Sequence, residues 1–267
     1  MSQRANQMTG KFYENCKIVS NVQIGSGIFA MTVHAPEMAE KARPGQFAML
    51  YIDRGEMTLP RPISFCDANK VQGTVYFVYK IVGAGTRALS ELQGWNKISV
   101  LGPLGNGFAL KKRDGERFSR VAVVGGGIGI PPLHLLAKSF AELGTYVDIY
   151  LGFSNMPIML ERFRHLAGRL VVATEDGSYG KKGMVVDFLA GRDKEYDEIL
   201  ACGPKPMISA TMEFGKRHGI TCQLSLEERM ACGLGACVGC SIKVKDTYVR
   251  VCAEGPVFYD DEVKQHG

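Results

Sequence analysis

The sequence predicts a multidomain protein, in which an antiparallel β barrel is followed by a parallel α/β domain and a small cysteine-rich lobe. Three observations support this prediction. Short apolar runs separated by Gly and Pro fill residues 11–110, which is typical of barrels and sandwiches. Strands then alternate with helices over residues 120–226, which is typical of a parallel sheet. Four closely spaced cysteines end the series, between residues 232 and 252.

In the first region, the predicted strands are the apolar runs at residues 16–22, 29–35, 46–52, 74–80 and 97–101. A helix is predicted over Ala88–Gln93, with Thr86 as its cap. Arg61 and Ser64 of an R-P-I-S segment offer a guanidinium fork and a hydroxyl group. The glycine-rich turn at 83–86 offers free amides at a helix start. Together they could hold a dinucleotide pyrophosphate, although an ordinary strand–helix turn is the alternative for residues 83–86.

A second glycine-rich turn begins the α/β region. The buried-strand pattern of Arg120–Val124 leads directly into Gly125–Pro132, and a helix is predicted over Leu133–Leu143. This order of strand, glycines and helix is the one that a nucleotide-binding turn requires, although the glycines alternate and depart from G-x-G-x-x-G. A later strand ends at another turn, residues 202–204. Because parallel strands bind ligands at their carboxyl ends, both turns are predicted to lie at the same sheet edge.

The cysteines at the C-terminus follow the pattern C-x4-C-x2-C-x11-C. This is the plant-type order of thiolates around a [2Fe–2S] cluster, in which a short loop wraps the irons and one distant cysteine completes the set. Gly233, Gly235 and Gly239 are expected to give the loop left-handed backbone angles. A structural zinc site is the alternative, but it usually has two facing pairs of cysteines. The remaining cysteines are predicted to be free packing thiols: Cys16, Cys66, Cys202 and Cys222.

Composition restricts the function classes. The 267 residues are 46% hydrophobic and 22% charged, with a net charge of +5. No dense basic stripe with aromatics supports nucleic-acid binding. The first ten residues lack the apolar core of a signal peptide, and the glycines and prolines within residues 121–137 make a poor membrane span. We therefore expect a cytoplasmic protein without a membrane anchor, with a barrel at 1–113, an α/β domain at 114–222 and a cluster lobe at 223–267.

The motifs in combination resemble a known superfamily. R-P-I-S, G-A-G-T, G-G-G-I-G-I-P-P, C-G-P-K-P-M and the cysteine pattern, in that order, are similar to ferredoxin–NADP reductases. The segments at 174–180, 227–233 and 251–258 more narrowly resemble the electron-transfer subunits of dihydroorotate dehydrogenase B. The resemblance implies an FAD barrel, an NAD-binding domain and a [2Fe–2S] lobe. It also implies a partner that contains FMN, the catalytic subunit for dihydroorotate oxidation in pyrimidine biosynthesis, in a heterotetramer.

The resemblance also implies three groups of binding residues. Those for FAD are Arg61 at the pyrophosphate, Ile63 and Ser64 at the isoalloxazine with Pro62 beside them, Val78, Tyr79 and Lys80 along the cofactor, and Gly85 and Thr86 at its phosphates. Those for the nicotinamide nucleotide are Gly126, Gly127, Ile128, Gly129, Pro131, Cys202, Gly203 and Pro204. Those for the irons are Cys232, Cys237, Cys240 and Cys252.

Two alternatives for the function stay open at this point. A reductase with the same cofactors could serve ferredoxin, sulfide or a hydrogenase, and a zinc-stabilised binding module could carry a degenerate nucleotide fold. NAD is expected over NADP, because no Arg directly follows the strand at 145–151. The apolar residues at 255–259 are predicted to form an exposed patch that contacts a partner.

Overall fold

The computed structural model describes residues 11–52, 59–192, 195–245 and 247–263. Its first part is a closed six-stranded barrel in the order β1-β2-β5-β4-β3-β6. The strands are β1 (Phe12–Gly25), β2 (Ile28–His34), β3 (Phe47–Tyr51), β4 (Arg61–Asn69), β5 (Thr74–Lys80) and β6 (Lys97–Leu104). Two short helices accompany them, α1 (Pro36–Lys41) and α2 (Ala84–Ser90). All neighbouring strands pair antiparallel.

Side chains alternate across the barrel wall, as strand geometry requires. Along β3, Ala48 and Leu50 belong to the barrel core, whereas Phe47 and Met49 face outward and are buried by another part of the chain. Along β5, Phe77 and Tyr79 point inward. The barrel therefore has a filled interior, and any cofactor has to bind on its outer face.

The second part is a seven-stranded sheet in the order β10-β9-β8-β7-β11-β12-β15. Its strands are β7 (Arg120–Gly126), β8 (Tyr146–Phe153), β9 (Arg169–Thr174), β10 (Lys181–Lys182), β11 (Glu198–Cys202), β12 (Cys222–Ser225) and β15 (Val257–Tyr259). The helices are α3 (Pro132–Glu142), α4 (Leu160–Arg164) and α5 (Lys205–His218). Six strands run parallel, and β15 alone pairs antiparallel, with β12. The predicted combination of a barrel and a parallel sheet is confirmed.

The C-terminal residues do not form a free-standing unit. A two-stranded hairpin, β13 (Ser241–Val244) and β14 (Thr247–Arg250), follows the cysteine loop. β15 then joins the edge of the large sheet, and Phe258 is buried. The prediction of an exposed apolar patch at 255–259 is therefore wrong, because these apolar residues extend the sheet. We call residues 232–252, from the first to the last cysteine of the pattern, the cluster segment.

Several boundaries differ from the sequence-based ones. Helix α2 begins at Ala84, four residues before the predicted start, and Gly83 is its N-cap. Thr86 is thus not the cap but the third residue of the helix, where its hydroxyl accepts hydrogen bonds from the Val82 and Gly83 amides. Between β10 and β11, Val185–Leu189 form a 3-10 turn. No helix within the described residues is long and apolar enough to cross a membrane.

The cysteines outside the C-terminal pattern are buried free thiols, as predicted. They are Cys16, Cys66, Cys202 and Cys222. Burial raises the pKa of each thiol, to about 12 for Cys16 and Cys202. They are therefore protonated packing groups rather than nucleophiles.

Candidate cofactor sites on one face of the barrel

The side chain of Arg61 lies against the start of helix α2. A Cβ at Gly85 would stand 1.7 Å from Arg61 Nε and 2.2 Å from Cζ and Nη2, so only glycine leaves room for the guanidinium group. Arg61 Nη1 donates to the carbonyl oxygens of Leu59 and Pro60. These contacts leave Nε and Nη2 beside the glycine turn, where the two N–H donors of the cation can bind one phosphate group.

The other R-P-I-S residues divide between the two faces of β4. Ser64 pairs with Phe47 of β3, and Pro62 pairs with Met49; both Phe47 and Met49 face outward. Ile63 packs partly against the barrel core. An isoalloxazine on the outer face would therefore meet Pro62 and Ser64, and would meet Ile63 mainly through its backbone.

The predicted FAD-binding residues of β5 lie on different faces of the barrel wall. Tyr79 is buried inside the barrel, where its hydroxyl lies 3.0 Å from Asn21 Oδ1. Its side chain therefore cannot lie along a cofactor on the outer face, and only its backbone remains available there. Val78 packs on the outer face with Cys66 and Ile128, while Lys80 is exposed at the strand end. Strand β5 thus lies against the nucleotide turn.

The two glycine turns of the α/β domain meet at the carboxyl edge of the sheet, as predicted. β7 pairs with β11, and Gly125 lies opposite Cys202. A Cβ at Gly129 would come within 2.6 Å of Gly203 Cα, and a Cβ at Gly126 within 2.9 Å of Pro204 Cδ. The backbones therefore pack directly on each other, and side chains at these positions would separate them.

Open space lies on the other side of this turn. Gly127 has a φ of +53°, and no atom lies within 4 Å of where its Cβ would be. The 3-10 turn Gly127–Gly129 leads through Ile130 and Pro131 into α3. The Cys202 side chain, in contrast, packs in the sheet core, so only its backbone faces the turn. A nucleotide would be bound here by main-chain groups.

Helix α3 connects the nucleotide turn to the barrel. It packs against β4, the strand that carries R-P-I-S. Lys138 Nζ donates to Asp67 Oδ1 at 2.9 Å and to the Ala68 carbonyl at 3.3 Å. His134 lies beside the same carboxylate, and burial lowers the pKa of this histidine below its usual value. Polar contacts between α3 and β4 thus hold the α/β domain against the barrel, next to both candidate sites.

In each of two pairs of the C-terminal cysteines, the main-chain amide of one residue donates to the sulfur of the other. The Cys237 amide donates to Cys232 Sγ at 3.5 Å, and the Leu234 amide donates to the same sulfur at 3.4 Å. The Cys252 amide donates to Cys240 Sγ at 3.4 Å. A [2Fe–2S] cluster takes two thiolates at each iron, so Cys232 with Cys237 and Cys240 with Cys252 are the candidate ligand pairs.

The pKa values of these thiols differ across the pairs. Burial works to raise the pKa of Cys232, but the Cys237 and Leu234 amides outweigh it and lower the value to about 6. Burial and the neighbouring Cys240 raise the pKa of Cys252 to about 12. Metal ligation requires thiolates, so cluster binding has to release the proton of Cys252.

The backbone of the cysteine loop agrees with two of three glycine predictions. Gly233 and Gly235 have φ values of +69° and +82°. Gly239 does not have a positive φ; the left-handed residue of that turn is Val238, with a φ of 52°. A β-branched residue is strained in this conformation. The Val238 side chain is 62% exposed, so burial does not explain its left-handed backbone conformation.

The cluster segment packs against the outer barrel face through an apolar seam. Its buried members are Phe47, Met49 and Leu104 of the barrel with Cys240, Val251, Cys252 and Phe258. A Cβ at Gly233 would lie 2.6 Å from Met49 Cγ. Because Met49 is the cross-strand partner of Pro62, one side chain separates the cysteine loop from the R-P-I-S motif.

The sequence of this chain is similar to those of known proteins. A model of the iron–sulfur cluster binding domain of dihydroorotate dehydrogenase B matches residues 227–264. A protein of Caldanaerobacter subterraneus is 40% identical over 251 residues, 92% of this chain and 96% of its own. One of Clostridium acetobutylicum is 38% identical, over 92% and 95%. Both are named dihydroorotate dehydrogenase B (NAD(+)), electron transfer subunit. The chain belongs to this family.

Among solved structures, a chain of the NADH-dependent reduced ferredoxin–NADP oxidoreductase, studied for flavin-based electron bifurcation, has a TM-score of 0.84. It is 30% identical, with 94% of this chain and 90% of that chain covered. These relatives and the ferredoxin-reductase-like fold confirm the predicted family, the fold class and the cofactors: FAD, a [2Fe–2S] cluster and NAD.

Proposed function

We propose that this chain transfers electrons from the FMN of a dihydroorotate-oxidising partner subunit, through its own cluster and FAD, to NAD⁺. The order of elements on the outer barrel face supports this proposal. The cluster segment covers β3 and β6 on one side of β4, and the nucleotide turn contacts β5 on the other side. The strand with R-P-I-S thus lies between them. An electron path from cluster to flavin to nucleotide needs this order.

The residues act by binding and positioning. When bound, the flavin exchanges hydride with NAD and single electrons with the cluster. Arg61 and the glycine turn at Gly85 hold the FAD phosphates, while Pro62 and Ser64 face its ring. The backbones of Gly126–Gly129 and Gly203 hold the nicotinamide nucleotide. Cys232 and Cys237 bind one iron, and Cys240 and Cys252 bind the other.

We further propose that NAD is preferred over NADP. The first two arginines after β8 in the chain have other contacts: Arg162 lies 4.4 Å above the Tyr76 ring, and Arg164 Nε donates to Glu161 at 2.9 Å. The loop after β9 begins with Glu175 and Asp176, both exposed. Carboxylates at this sheet edge would repel a 2′-phosphate and could accept hydrogen bonds from a 2′-hydroxyl.

The partner is proposed to dock on the exposed side of the cluster segment, and the complex to be a heterotetramer. Leu234, Val238 and Tyr248 are apolar side chains with exposed fractions of 49%, 62% and 71%. They lie on the segment that would hold the cluster, where a partner flavin must approach. Since a thiolate-bound cluster is best preserved in a reducing compartment, we place the complex in the cytoplasm.

The experiment reconstitutes the activity from parts. The isolated chain is expected to reduce artificial acceptors with NADH, but not to oxidise dihydroorotate. Adding the matching FMN subunit should give dihydroorotate-to-NAD⁺ turnover, and Cys240→Ser should abolish it. Tyr248→Glu should weaken the complex, whereas Val71→Glu, which changes a residue 97% exposed on the barrel, should not. Dihydroorotate oxidation by the chain alone, or none with the partner, would refute the proposal.

A second candidate function is supported by the structural neighbour with a TM-score of 0.84. A subunit with the same cofactors could exchange electrons with ferredoxin instead of a flavin subunit. The two functions separate in one assay, because ferredoxin-dependent turnover would proceed without the FMN subunit. Turnover with ferredoxin, combined with none after the FMN subunit is added, would favour this second function.

A further inference from the structure

The guanidinium group of Arg250 joins two parts of the cluster segment. Its Nη1 donates to the Gly235 carbonyl at 2.7 Å, in the loop between Cys232 and Cys237. Its Nε donates to Glu254 Oε2 at 3.1 Å, and its Nη2 contacts Glu254 Oε1. Glu254 Oε2 also accepts from the Arg250 amide at 2.6 Å. The arginine therefore bridges the loop and the residues around Cys252.

The carbonyl that Arg250 binds belongs to the loop that surrounds Cys232. The Leu234 and Cys237 amides, on either side of Gly235 in this loop, donate to Cys232 Sγ at 3.4 and 3.5 Å. The cation thus lies against the same short loop that encloses a candidate iron ligand. Inside a protein a charge this close is screened much less than it would be in water.

The position of Gly235 keeps this contact in place. Its φ is +82°, and a Cβ there would lie 2.9 Å from Ala253 Cβ and 3.3 Å from Arg250 Nη1. A side chain would therefore push against both the arginine and the segment after Cys252. Glycine allows the loop to approach Arg250 closely.

Hydrogen bonds to cluster sulfurs and nearby charge help to set the reduction potential, because the reduced cluster carries one more negative charge. We propose that Arg250 is a positioning residue that raises the potential of the cluster by holding its positive charge at the Gly235 carbonyl of the cysteine loop, and that Glu254 limits this effect. The inference rests on the proposed ligand set Cys232, Cys237, Cys240 and Cys252. It adds a residue that would set how readily the cluster accepts an electron.

Opposite charge changes at the two ends of the ion pair provide the test. The cluster potential is measured by redox titration followed by electron paramagnetic resonance. Arg250→Gln leaves the carboxylate alone, so the ratio of reduced to oxidised cluster at a fixed potential should fall about tenfold, which corresponds to about 59 mV. Glu254→Gln leaves the cation alone, so the ratio should rise. Arg250→Lys keeps the charge and should shift the potential less than Arg250→Gln.

Lys243→Gln is the matched control, because it removes an exposed positive charge from β13 of the same segment. Water and salt screen that charge, so its effect should be well below that of Arg250→Gln. Equal potentials in wild type, Arg250→Gln and Glu254→Gln would overturn the inference, as would shifts of the same sign in both variants. A purely structural clamp would instead lower iron content in both, with little change in the potential of the remaining cluster. Absence of a [2Fe–2S] signal in wild type would refute the ligand assignment.

Discussion

Gly85→Ala should weaken FAD binding by displacing Arg61, without touching the cofactor itself. The new Cβ would stand 1.7 Å from Arg61 Nε, so the guanidinium group has to leave its position. Losing a hydrogen bond to a charged group costs about 1.5–3 kcal/mol. Since 1.4 kcal/mol corresponds to a factor of ten, FAD affinity should fall roughly 10- to 150-fold. Alanine favours a helix by about 1 kcal/mol over glycine, so the fold itself should not weaken.

A double-mutant cycle separates this mechanism from a direct effect on the phosphates. Arg61→Ala removes the side chain that the new methyl group would strike. If displacement is the cause, Gly85→Ala in that background should change FAD affinity by no more than about twofold. Fluorescence titration of FAD into flavin-free protein measures the affinity, and thermal unfolding checks the fold. Additive losses in the double variant, or unchanged affinity in Gly85→Ala, would refute the reasoning.

Three further predictions follow from the other sites. Cys237→Ser should remove the cluster but leave most FAD bound, because Cys237 is exposed while Cys240 and Cys252 form the seam to the barrel; equal loss of iron and flavin on analysis would contradict this. The kcat/KM for NADH should exceed that for NADPH, and Glu175→Gln should narrow the difference; comparable efficiencies in wild type would count against it. Burial raises the pKa of Glu198 from 4.5 to about 7, so the free energy of unfolding should fall as pH rises through this window and stay low above it. Glu198→Gln should remove this slope in urea unfolding and gain on the order of 3 kcal/mol above pH 7, and an unchanged slope would exclude the assignment.

The sequence allowed prediction of features that depend on neighbouring residues. The strand at Arg120–Val124 is buried on both faces, so it appears as a continuous apolar run, and the glycine turn follows it directly. The cluster could be predicted from the cysteine spacing for a similar reason, because three of the four cysteines lie in one short loop. Parallel strands then brought Gly129 and Gly203 together, which follows from topology once both turns are recognised.

Features that depend on distant contacts could not be predicted. β15 has three residues, and its Phe258 packs in the apolar seam between the barrel and the cluster segment. The bond between Arg250 and Gly235 joins residues 15 apart in the chain. Both contacts arise from tertiary packing rather than from periodicity. The start of α2 was missed for a local reason, because the Thr86 hydroxyl accepts the hydrogen bond of the Gly83 amide from the third helical residue rather than from the N-cap.

The attachment of β15 to β12 has a consequence for handling the protein. Only four residues separate Cys252 from β15, so a ligated Cys252 holds this short strand in position. Without it, β12 would become the outer strand, with unpaired main-chain groups that can recruit another molecule. Loss of iron in air should therefore cause aggregation as well as bleaching. Anaerobic purification would protect the sheet edge along with the cluster.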